Sequence, residues 1–250
     1  MPLMDTARDR KHWTEVAEQW IAWARTPGHD VFWNYLGALH EFLGEGKGNV
    51  LDVGCGEGRV SRELRALGYT VTAVDVVETL VEAARAADSA DAYRVAPITG
   101  LPFADGTFDK VVSYNMLMDV DDLPGAAREL ARVLADRGEV FVSVVHPFTE
   151  QVMETEGRSY FEQKRFDSVD SRDGLTMRFS GWARPLQDYI TALNTAGLAV
   201  TAVREPAIAG VDANNPASRW ATEPLFLWFT LRKLPADLGL DHPRQLSHHR

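Results

Sequence analysis

A glycine-rich turn near residue 55 contains the residues whose types and spacing most clearly suggest chemistry. The segment Asp52-Val53-Gly54-Cys55-Gly56-Glu57-Gly58-Arg59 lies where a short apolar run passes into a helical pattern. Glycines at such a turn let the backbone approach a ligand closely, and the first amides of the following helix supply hydrogen-bond donors. Asp75 follows 23 residues after Asp52, at the end of the next predicted strand, where a carboxylate can accept hydrogen bonds from both hydroxyls of a ribose. The combination predicts a site for an adenosine-containing cofactor.

The glycine spacing argues against NAD as that cofactor. A dinucleotide fingerprint needs its third glycine three residues after the second, and that position is Arg59. Asp75 alone does not distinguish NAD from other adenosine cofactors, so an NAD-dependent oxidoreductase stays as the alternative. Taken singly, the glycines also suit a plain tight turn and Asp75 a helix N-cap. Their joint placement in one strand-helix-strand unit favours a ligand site.

The elements that must position these residues alternate between strand and helix. Apolar runs and helical spacing predict strands at 49–53, 70–75, 92–96, 108–114, 139–145, 198–204 and 225–231, and helices at 59–67, 77–87, 123–135 and 185–196. Such alternation with short turns predicts a parallel sheet covered on both faces. Two more helices, separated at Thr26-Pro27-Gly28, precede the first strand. The polar stretch 147–183 interrupts the pattern and is interpreted as an inserted cap.

Composition limits the classes of protein and partner. The chain has 250 residues, of which 45% are hydrophobic and 25% charged, as in ordinary globular proteins. The sequence has 26 basic and 36 acidic residues, and the resulting net negative charge would repel a phosphate backbone, so nucleic acid is not an expected partner. With Cys55 as the single cysteine, neither an internal disulfide nor a thiolate metal cage can form, and no metal site is predicted. A single cysteine is also typical of a protein in the reducing cytoplasm. No run of about 18 apolar residues occurs, so neither export nor a membrane span is expected.

Three motifs together resemble those of the class I S-adenosylmethionine-dependent methyltransferases, in particular the small-molecule, type 11-like members. They are the segment Leu51-Asp52-Val53-Gly54-Cys55-Gly56-Glu57-Gly58, the acid Asp75, and the pattern Leu101-Pro102-Phe103-Ala104-Asp105-Gly106-Thr107-Phe108-Asp109. The resemblance covers residues 50–145. It implies an α/β fold with a Rossmann-like, doubly wound, seven-stranded, mostly parallel sheet whose last strand is antiparallel. N-terminal helices and an inserted cap would complete it.

The resemblance also implies a division of the chain and a set of cofactor contacts. The expected units are an N-terminal helical lid at 1–46, a cofactor-binding core at 47–146, a cap at 147–184, the completion of the core at 185–234 and a fraying tail at 235–250. The cofactor would be S-adenosylmethionine, with S-adenosylhomocysteine as product. Its methionine part would lie against the glycine loop and its ribose against Asp75. The implied contact residues are Asp52, Gly54, Cys55, Gly56, Gly58, Asp75, Val76, Pro97, Ile98, Asn115 and Met116.

One of these positions departs from the family pattern. An aspartate usually follows the third strand and binds the adenine amino group, and here Pro97 stands in its place. Ile98 keeps a backbone amide that can meet the ring. The departure keeps open a third interpretation, a protein that binds the cofactor without transferring its methyl group.

The acceptor side is predicted from position and residue type. Methyl transfer from a sulfonium is an in-line displacement, so the protein has to hold a nucleophile about 3 Å from the methyl carbon in a water-poor pocket. His146, at the end of the fifth core strand, is the candidate base, and the alternative is a histidine that only shapes the pocket. We expect a small, aromatic or apolar acceptor of the secondary-metabolite type and a monomer or homodimer. The candidate substrate-binding residues are Trp13, Trp20, His29, Trp33, Tyr114, Asp119, Phe148, Tyr160 and Trp182.

Overall fold

The computed structural model describes residues 7–149, 159–208 and 216–234, and its elements follow the predicted alternation. The strands are β1 Asn49–Val53, β2 Thr70–Asp75, β3 Ala92–Val95, β4 Phe108–Tyr114, β5 Leu134–Val145, β6 Lys164–Arg172, β7 Leu175–Ala183, β8 Leu198–Arg204 and β9 Phe226–Lys233. The helices are α1 Ala7–Arg25, α2 Phe32–Leu43, α3 Arg59–Ala66, α4 Glu78–Ala86, α5 Leu123–Val133 and α6 Leu186–Thr195.

Seven strands form one sheet in the order β3-β2-β1-β4-β5-β9-β8. Strands β1 to β5 pair in parallel, whereas β9 runs antiparallel between β5 and β8. The predicted fold class is therefore confirmed, including the antiparallel last strand. The strand order reverses between β1 and β4, and in open sheets of this kind ligands bind beyond the carboxyl ends of the strands at such a switch point.

The central strands are buried because helices cover both faces of the sheet. In β1 only Asn49 is exposed, as expected of a short apolar strand in a parallel sheet. Helices α5 and α6 pack on one face and α2 and α3 on the other. Within the described ranges, no helix has both the length and the apolar composition needed to cross a membrane.

The stretch predicted as an inserted cap contains a β-hairpin, β6-β7. Its two-residue turn, Asp173-Gly174, has φ of 51° and 79°, the left-handed conformation that connects tightly paired strands. Helix α1 packs against this hairpin through Trp23 and Met177, both fully buried. The hairpin and α1 thus form one layer. The predicted domain boundaries stay predictions, and the tail at 235–250 lies outside the described residues.

Candidate functional site

A cavity of about 340 Å³ lies at the switch point, beneath the layer formed by α1 and the hairpin. This size is within the range of small-molecule sites. Its sheet side is formed by the segments that follow four adjacent parallel strands. These are Val53–Gly56 after β1, Asp75–Val76 after β2, Ala96–Thr99 after β3 and Tyr114–Met116 after β4.

The glycine loop adopts a backbone that glycine alone allows without strain. Gly54 and Gly56 have φ of 73° and 54°. A Cβ at Gly54 would lie 2.3 Å from the Cγ of Met116, and one at Gly56 would lie 3.0 Å from the Nε1 of Trp20. The amides of Gly54 and Cys55 both donate to the carbonyl of Val74, at 2.8 and 3.0 Å. The loop is thereby tied to β2 and presents its backbone to the cavity.

Asp75 ends β2 at the edge of the cavity, as predicted. Its Oδ2 accepts a hydrogen bond from the amide of Gly56 at 2.9 Å, and its Oδ1 accepts one from the amide of Val77 at 2.9 Å. Burial raises the pKa of this carboxyl above its ordinary value, although the backbone amides oppose that shift. A carboxylate has about four acceptor positions, so two backbone bonds fix its orientation and leave capacity for a diol in the cavity.

Asp52 lies beneath the loop and does not reach the cavity wall. Its side chain is 1% exposed, and its Oδ2 accepts a hydrogen bond of 2.6 Å from the Ser61 hydroxyl. Burial raises the pKa of Asp52 to about 7, with the Ser61 hydrogen bond opposing and the nearby Asp75 adding to the shift. The loop therefore covers an acid that changes its charge near neutral pH.

Asn115 follows β4 in a conformation unusual for its residue type. Its φ is 50°, its amide donates to the carbonyl of Ser143 at 2.8 Å, and its Oδ1 accepts from the Ser143 hydroxyl at 2.6 Å. Non-glycine residues in the left-handed region persist where the surroundings fix them, often at functional sites. The side chain of the next residue, Met116, lies against Gly54.

Aromatic side chains form much of the cavity lining, with charged side chains among them. Its aromatic lining residues are Trp13, Trp20, Trp23, Tyr114, Phe166, Phe179 and Phe226. Arg59 forms a buried ion pair of 2.8 Å with Asp30, and its guanidinium lies over the rings of Trp20 and Phe32, at 4.8 and 4.4 Å. The cavity therefore joins a backbone cradle on one side to an aromatic chamber on the other.

Comparison with known proteins agrees with this geometry. Residues 51–142, which run from β1 into β5, match the model of a family described as a methyltransferase domain. Residues 51–142 therefore form a methyltransferase domain, of the family that the three sequence motifs resemble. This confirms the resemblance drawn from the motifs and gives the cofactor as S-adenosylmethionine.

Curated relatives match part of the chain. A malonyl-(acyl-carrier protein) O-methyltransferase of Erwinia pyrifoliae is 43% identical over 96 residues, 38% of this chain and 37% of that protein. A ubiquinone biosynthesis O-methyltransferase of Xanthomonas oryzae pv. oryzae is 35% identical over 118 residues, 45% of this chain and 48% of that one. The chain thus spans less than half the length of these two relatives.

Solved structures share the fold over most of the chain. One is the 1,6-didemethyltoxoflavin-N1-methyltransferase of Burkholderia thailandensis, solved with 1,6-didemethyltoxoflavin and S-adenosylhomocysteine. It is 18% identical, has a TM-score of 0.61, and the likeness covers 94% of this chain and 93% of that one. The agreement concerns the fold of the methyltransferase.

The cavity fits the cofactor that this class uses. Gly54 and Gly56, both in the left-handed conformation, expose backbone to the cavity at positions where a side chain would collide with its neighbours. Asp75 holds its carboxylate in a fixed orientation beside them. Val76, Pro97 and Ile98 line the adjoining wall, where an adenine ring would lie. Most of the predicted cofactor residues are brought together: Gly54, Cys55, Gly56, Asp75, Val76, Pro97, Ile98, Asn115 and Met116 all line the cavity.

Gly58 is a correction to the predicted cofactor set, since it does not line the cavity. It begins α3 with φ of 90°, and a Cβ there would lie 2.4 Å from the Oγ of Ser89. Its missing side chain lets α3 pack closely against the end of α4. Gly58 therefore serves packing, and Asp52 is likewise one layer below the cavity.

His146 is also a correction, because it does not lie on the cavity wall. Side chains alternate along a strand, and Val145 takes the direction that faces the cavity. The Nε2 of His146 is 2.9 Å from the Oε1 of Glu205, and its amide donates to the carbonyl of Leu225. The ring thus pairs with the segment after β8 and is not placed to act directly on an acceptor.

Five of the predicted substrate-binding residues lie outside the cavity. His29 is buried against Trp23, with ring centroids 4.3 Å apart, and its Nδ1 is 3.2 Å from Asp173. Trp182 donates to the Oδ1 of Asp121 at 2.7 Å from the outer side of the hairpin. The others are Trp33, which packs on Phe32, and the pair Phe148 and Tyr160, whose ring centroids are 6.3 Å apart. Of the predicted set, Trp13, Trp20, Tyr114 and Asp119 line the cavity.

Apart from Asp119, the sequence interpretation missed the charged residues of the chamber. Asp30, Arg59 and Arg172 all line the cavity, but Arg59 was considered only as a missing glycine. The Asp173-Gly174 pair predicts a two-residue hairpin turn, and such a turn places the residues on either side of it at paired strand ends. This pair could therefore have placed Arg172 at the end of a hairpin strand.

Proposed function

We propose that the whole chain is an enzyme that transfers a methyl group from S-adenosylmethionine to a small acceptor with an aromatic or apolar body. The observation that carries the proposal is that one cavity joins the glycine loop and Asp75 to an aromatic chamber. A cofactor held at the loop would have the chamber directly beside it, and an acceptor bound there would be oriented for in-line displacement.

Different residues of the chain would bind different parts of the cofactor. Asp75 would accept hydrogen bonds from the ribose hydroxyls, and the loop from Gly54 to Gly56 would hold the methionine part. Asp52 lies below the loop, and its carboxylate would interact with the amino group of the methionine part across the loop backbone or through a bridging water molecule. Val76 and Ile98 would enclose the adenine. Bound S-adenosylmethionine supplies an electrophilic methyl group, and these contacts determine only where that group lies.

The acceptor side would work by orientation and exclusion of water. Trp20 and Trp23 of α1 and Phe179 of the hairpin would form the walls of the acceptor site. Closing a reacting pair off from water strengthens electrostatic interactions and removes competing hydrolysis. His146 pairs with Glu205 away from the cavity wall and would take no direct part in proton transfer.

Of the two relatives above, one is a malonyl-(acyl-carrier protein) O-methyltransferase and the other a ubiquinone biosynthesis O-methyltransferase. We propose the free small molecule, of the secondary-metabolite type, because α1 and the hairpin both contribute aromatic side chains to the lining of a chamber of small-molecule size. We also propose that the protein acts in the cytoplasm as a monomer or homodimer, without nucleic acid. The net charge of -10 supports the absence of nucleic acid, and the single buried thiol of Cys55 supports the cytoplasm.

The activity is tested with S-adenosylmethionine that carries an isotope-labelled methyl group. The purified chain is incubated with a panel of phenols, indoles and amines, and labelled products are detected by mass spectrometry. We expect labelled product from at least one flat apolar acceptor, and loss of that product in a Gly54→Val variant. Absence of product from every acceptor, in a protein that binds S-adenosylhomocysteine, would favour a cofactor-binding protein without transferase activity.

A further inference from the structure

Two buried polar groups in the aromatic chamber have no hydrogen-bond partner within the described ranges. They are the hydroxyl of Tyr114 and the Nε of Arg172, and both residues line the cavity. Buried polar groups in folded proteins are nearly always paired, so each unpaired one requires an explanation. A ligand in the cavity is the explanation that their position offers.

Tyr114 is held rigidly at the chamber wall by its ring. The side chain ends β4, is 7% exposed, and meets Phe32 and Phe226 edge-on, with centroids 5.6 and 6.0 Å away. Burial raises the pKa of its hydroxyl, so the group stays a neutral donor at physiological pH. Because the ring contacts fix its position, the hydroxyl is oriented before any ligand arrives.

Arg172 reaches the same chamber from the hairpin. It is the last residue of β6, and its guanidinium lies 4.5 Å from the centre of the buried Trp23 ring. Its ion pair with Asp170 has an Nε to Oδ2 distance of 4.0 Å, beyond hydrogen-bond reach, and the Asp170 side chain is 51% exposed. Stacking on Trp23 positions this cation while leaving its Nε unpaired.

Asp30, one of the acids that line the chamber, is engaged with other partners. Asp30 accepts from Arg59 at 2.8 Å and from the amide of Phe32 at 2.9 Å. Burial acts to raise the pKa of Asp30, but Arg59 and, more weakly, Arg172 outweigh burial and lower it. Arg172 is thus a second cation beside a carboxylate that Arg59 already neutralises.

Two other cavity acids are neutralised in the same way. Glu57 is paired with Arg25 and Arg62, and Asp121 with Arg165. Arg172 and Tyr114 therefore place a positive charge and a hydroxyl donor in a chamber where Asp30, Glu57 and Asp121 are each paired with another arginine, while Asp119 and the half-exposed Asp170 also line it.

Building on the proposed function, we propose that the acceptor carries a carboxylate on its flat apolar body. Arg172 and Tyr114 would be the specificity-determining residues that bind this carboxylate, and Trp20 and Phe179 would contact the body. Charge-assisted hydrogen bonds to a carboxylate are stronger than neutral ones, and a site built to form them discriminates against an analogue that cannot. The inferred substrate class is aromatic carboxylic acids.

The proposal is tested by calorimetry with a matched pair of probes, 2-naphthoate and its neutral isostere 2-naphthamide. Each is titrated into the protein saturated with S-adenosylhomocysteine and, separately, into ligand-free protein. We expect 2-naphthoate to bind at least about tenfold more tightly than 2-naphthamide. Arg172→Gln should abolish this preference and leave 2-naphthamide binding unchanged, and Tyr114→Phe should reduce it about fivefold.

Controls separate this inference from the proposed function. Arg178→Gln, on the neighbouring strand with its ion pair to Asp167 in solvent, should keep the preference. Equal affinity for the two probes, no saturable binding of 2-naphthoate, or a preference that survives Arg172→Gln would each overturn the carboxylate site. Failure of S-adenosylhomocysteine to bind would instead contradict the proposed function, while the titrations of ligand-free protein would still test the carboxylate site.

Discussion

At the scale of single residues, two buried aspartates next to the glycine loop have different roles because their surroundings differ. Asp75 lies at the cavity edge with two backbone amides on its carboxylate, whereas Asp52 lies one layer below with the Ser61 hydroxyl as its neighbour. The first can contact a ligand directly. The second can respond to a ligand's charge without touching the cavity wall.

Replacing Asp75 by alanine should weaken binding of S-adenosylhomocysteine by about 1 to 3 kcal/mol, the scale of hydrogen bonds to a charged group. Titration calorimetry measures the change, and circular dichroism checks that the variant is folded. Glu82→Ala, which removes an exposed carboxylate from α4, is the control and should bind as the wild type does. Unchanged affinity in Asp75→Ala would contradict the ribose contact.

Asp52 should make the stability of the ligand-free protein depend on pH. Its pKa is about 7 in the folded state against an ordinary 3.8, so between these values the unfolded chain ionises while the folded chain stays protonated. The free energy of unfolding should therefore fall as pH rises from 4 to 7 and then level off, by up to about 4 kcal/mol.

The variant Asp52→Asn should lack this fall. Urea unfolding at several pH values compares the two proteins, and the stability of the variant relative to wild type should increase between pH 4 and 7. Parallel pH profiles would show that the folded state does not retain the proton on Asp52.

At the scale of elements, the glycine loop and the layer of α1 and the hairpin determine the cavity's two sides. Gly54 can come close to Met116 only because it has no side chain, and Trp23 supports the hairpin from α1. The position of the loop therefore depends on Gly54, and the position of the hairpin depends on Trp23.

Gly54→Ala should destabilise the protein by about 1 to 3 kcal/mol and abolish cofactor binding, because the residue has φ of 73° and the new Cβ meets Met116. Gly37→Ala is the matched control. Gly37 lies within α2, and nothing lies within 4 Å of an added Cβ, so alanine should stabilise the helix by about 0.5 to 1 kcal/mol. Chemical denaturation measures both, and equal effects of the two variants would contradict the strained loop.

Trp23→Ala should loosen the hairpin. The side chain is 1% exposed and packs against Phe179 and Arg172, so its removal should cost about 3 to 5 kcal/mol. Hydrogen exchange at residues 164–183 should accelerate. Trp33→Ala, in α2 and only partly buried, should leave that exchange unchanged, and equal acceleration in both variants would contradict the described layer.

At the scale of the whole molecule, the core sheet was predictable and the enclosure of the cavity was not. Strands such as β1 and β4 are buried over most of their length and rich in apolar residues, because helices cover both faces of the sheet, so these strands could be predicted from the sequence. The hairpin escaped prediction because one of its faces is polar and exposed, and only the Asp173-Gly174 turn marked it.

The same contrast holds for the site. Cofactor residues follow strand ends, whose positions the chain order fixes. The chamber depends on tertiary packing of α1 against the hairpin, which placed Arg172 inside the cavity and His29 and Trp182 outside it. His146 was misplaced by one step of strand alternation, since Val145 takes the inward direction.

Calorimetric titration of purified, ligand-free protein with S-adenosylhomocysteine, and in parallel with NADH, tests the central claim most directly. A cavity built from the glycine loop and Asp75 should bind S-adenosylhomocysteine saturably at one site per chain and should not bind NADH. Absence of heat from S-adenosylhomocysteine, or saturable binding of NADH instead, would contradict the account.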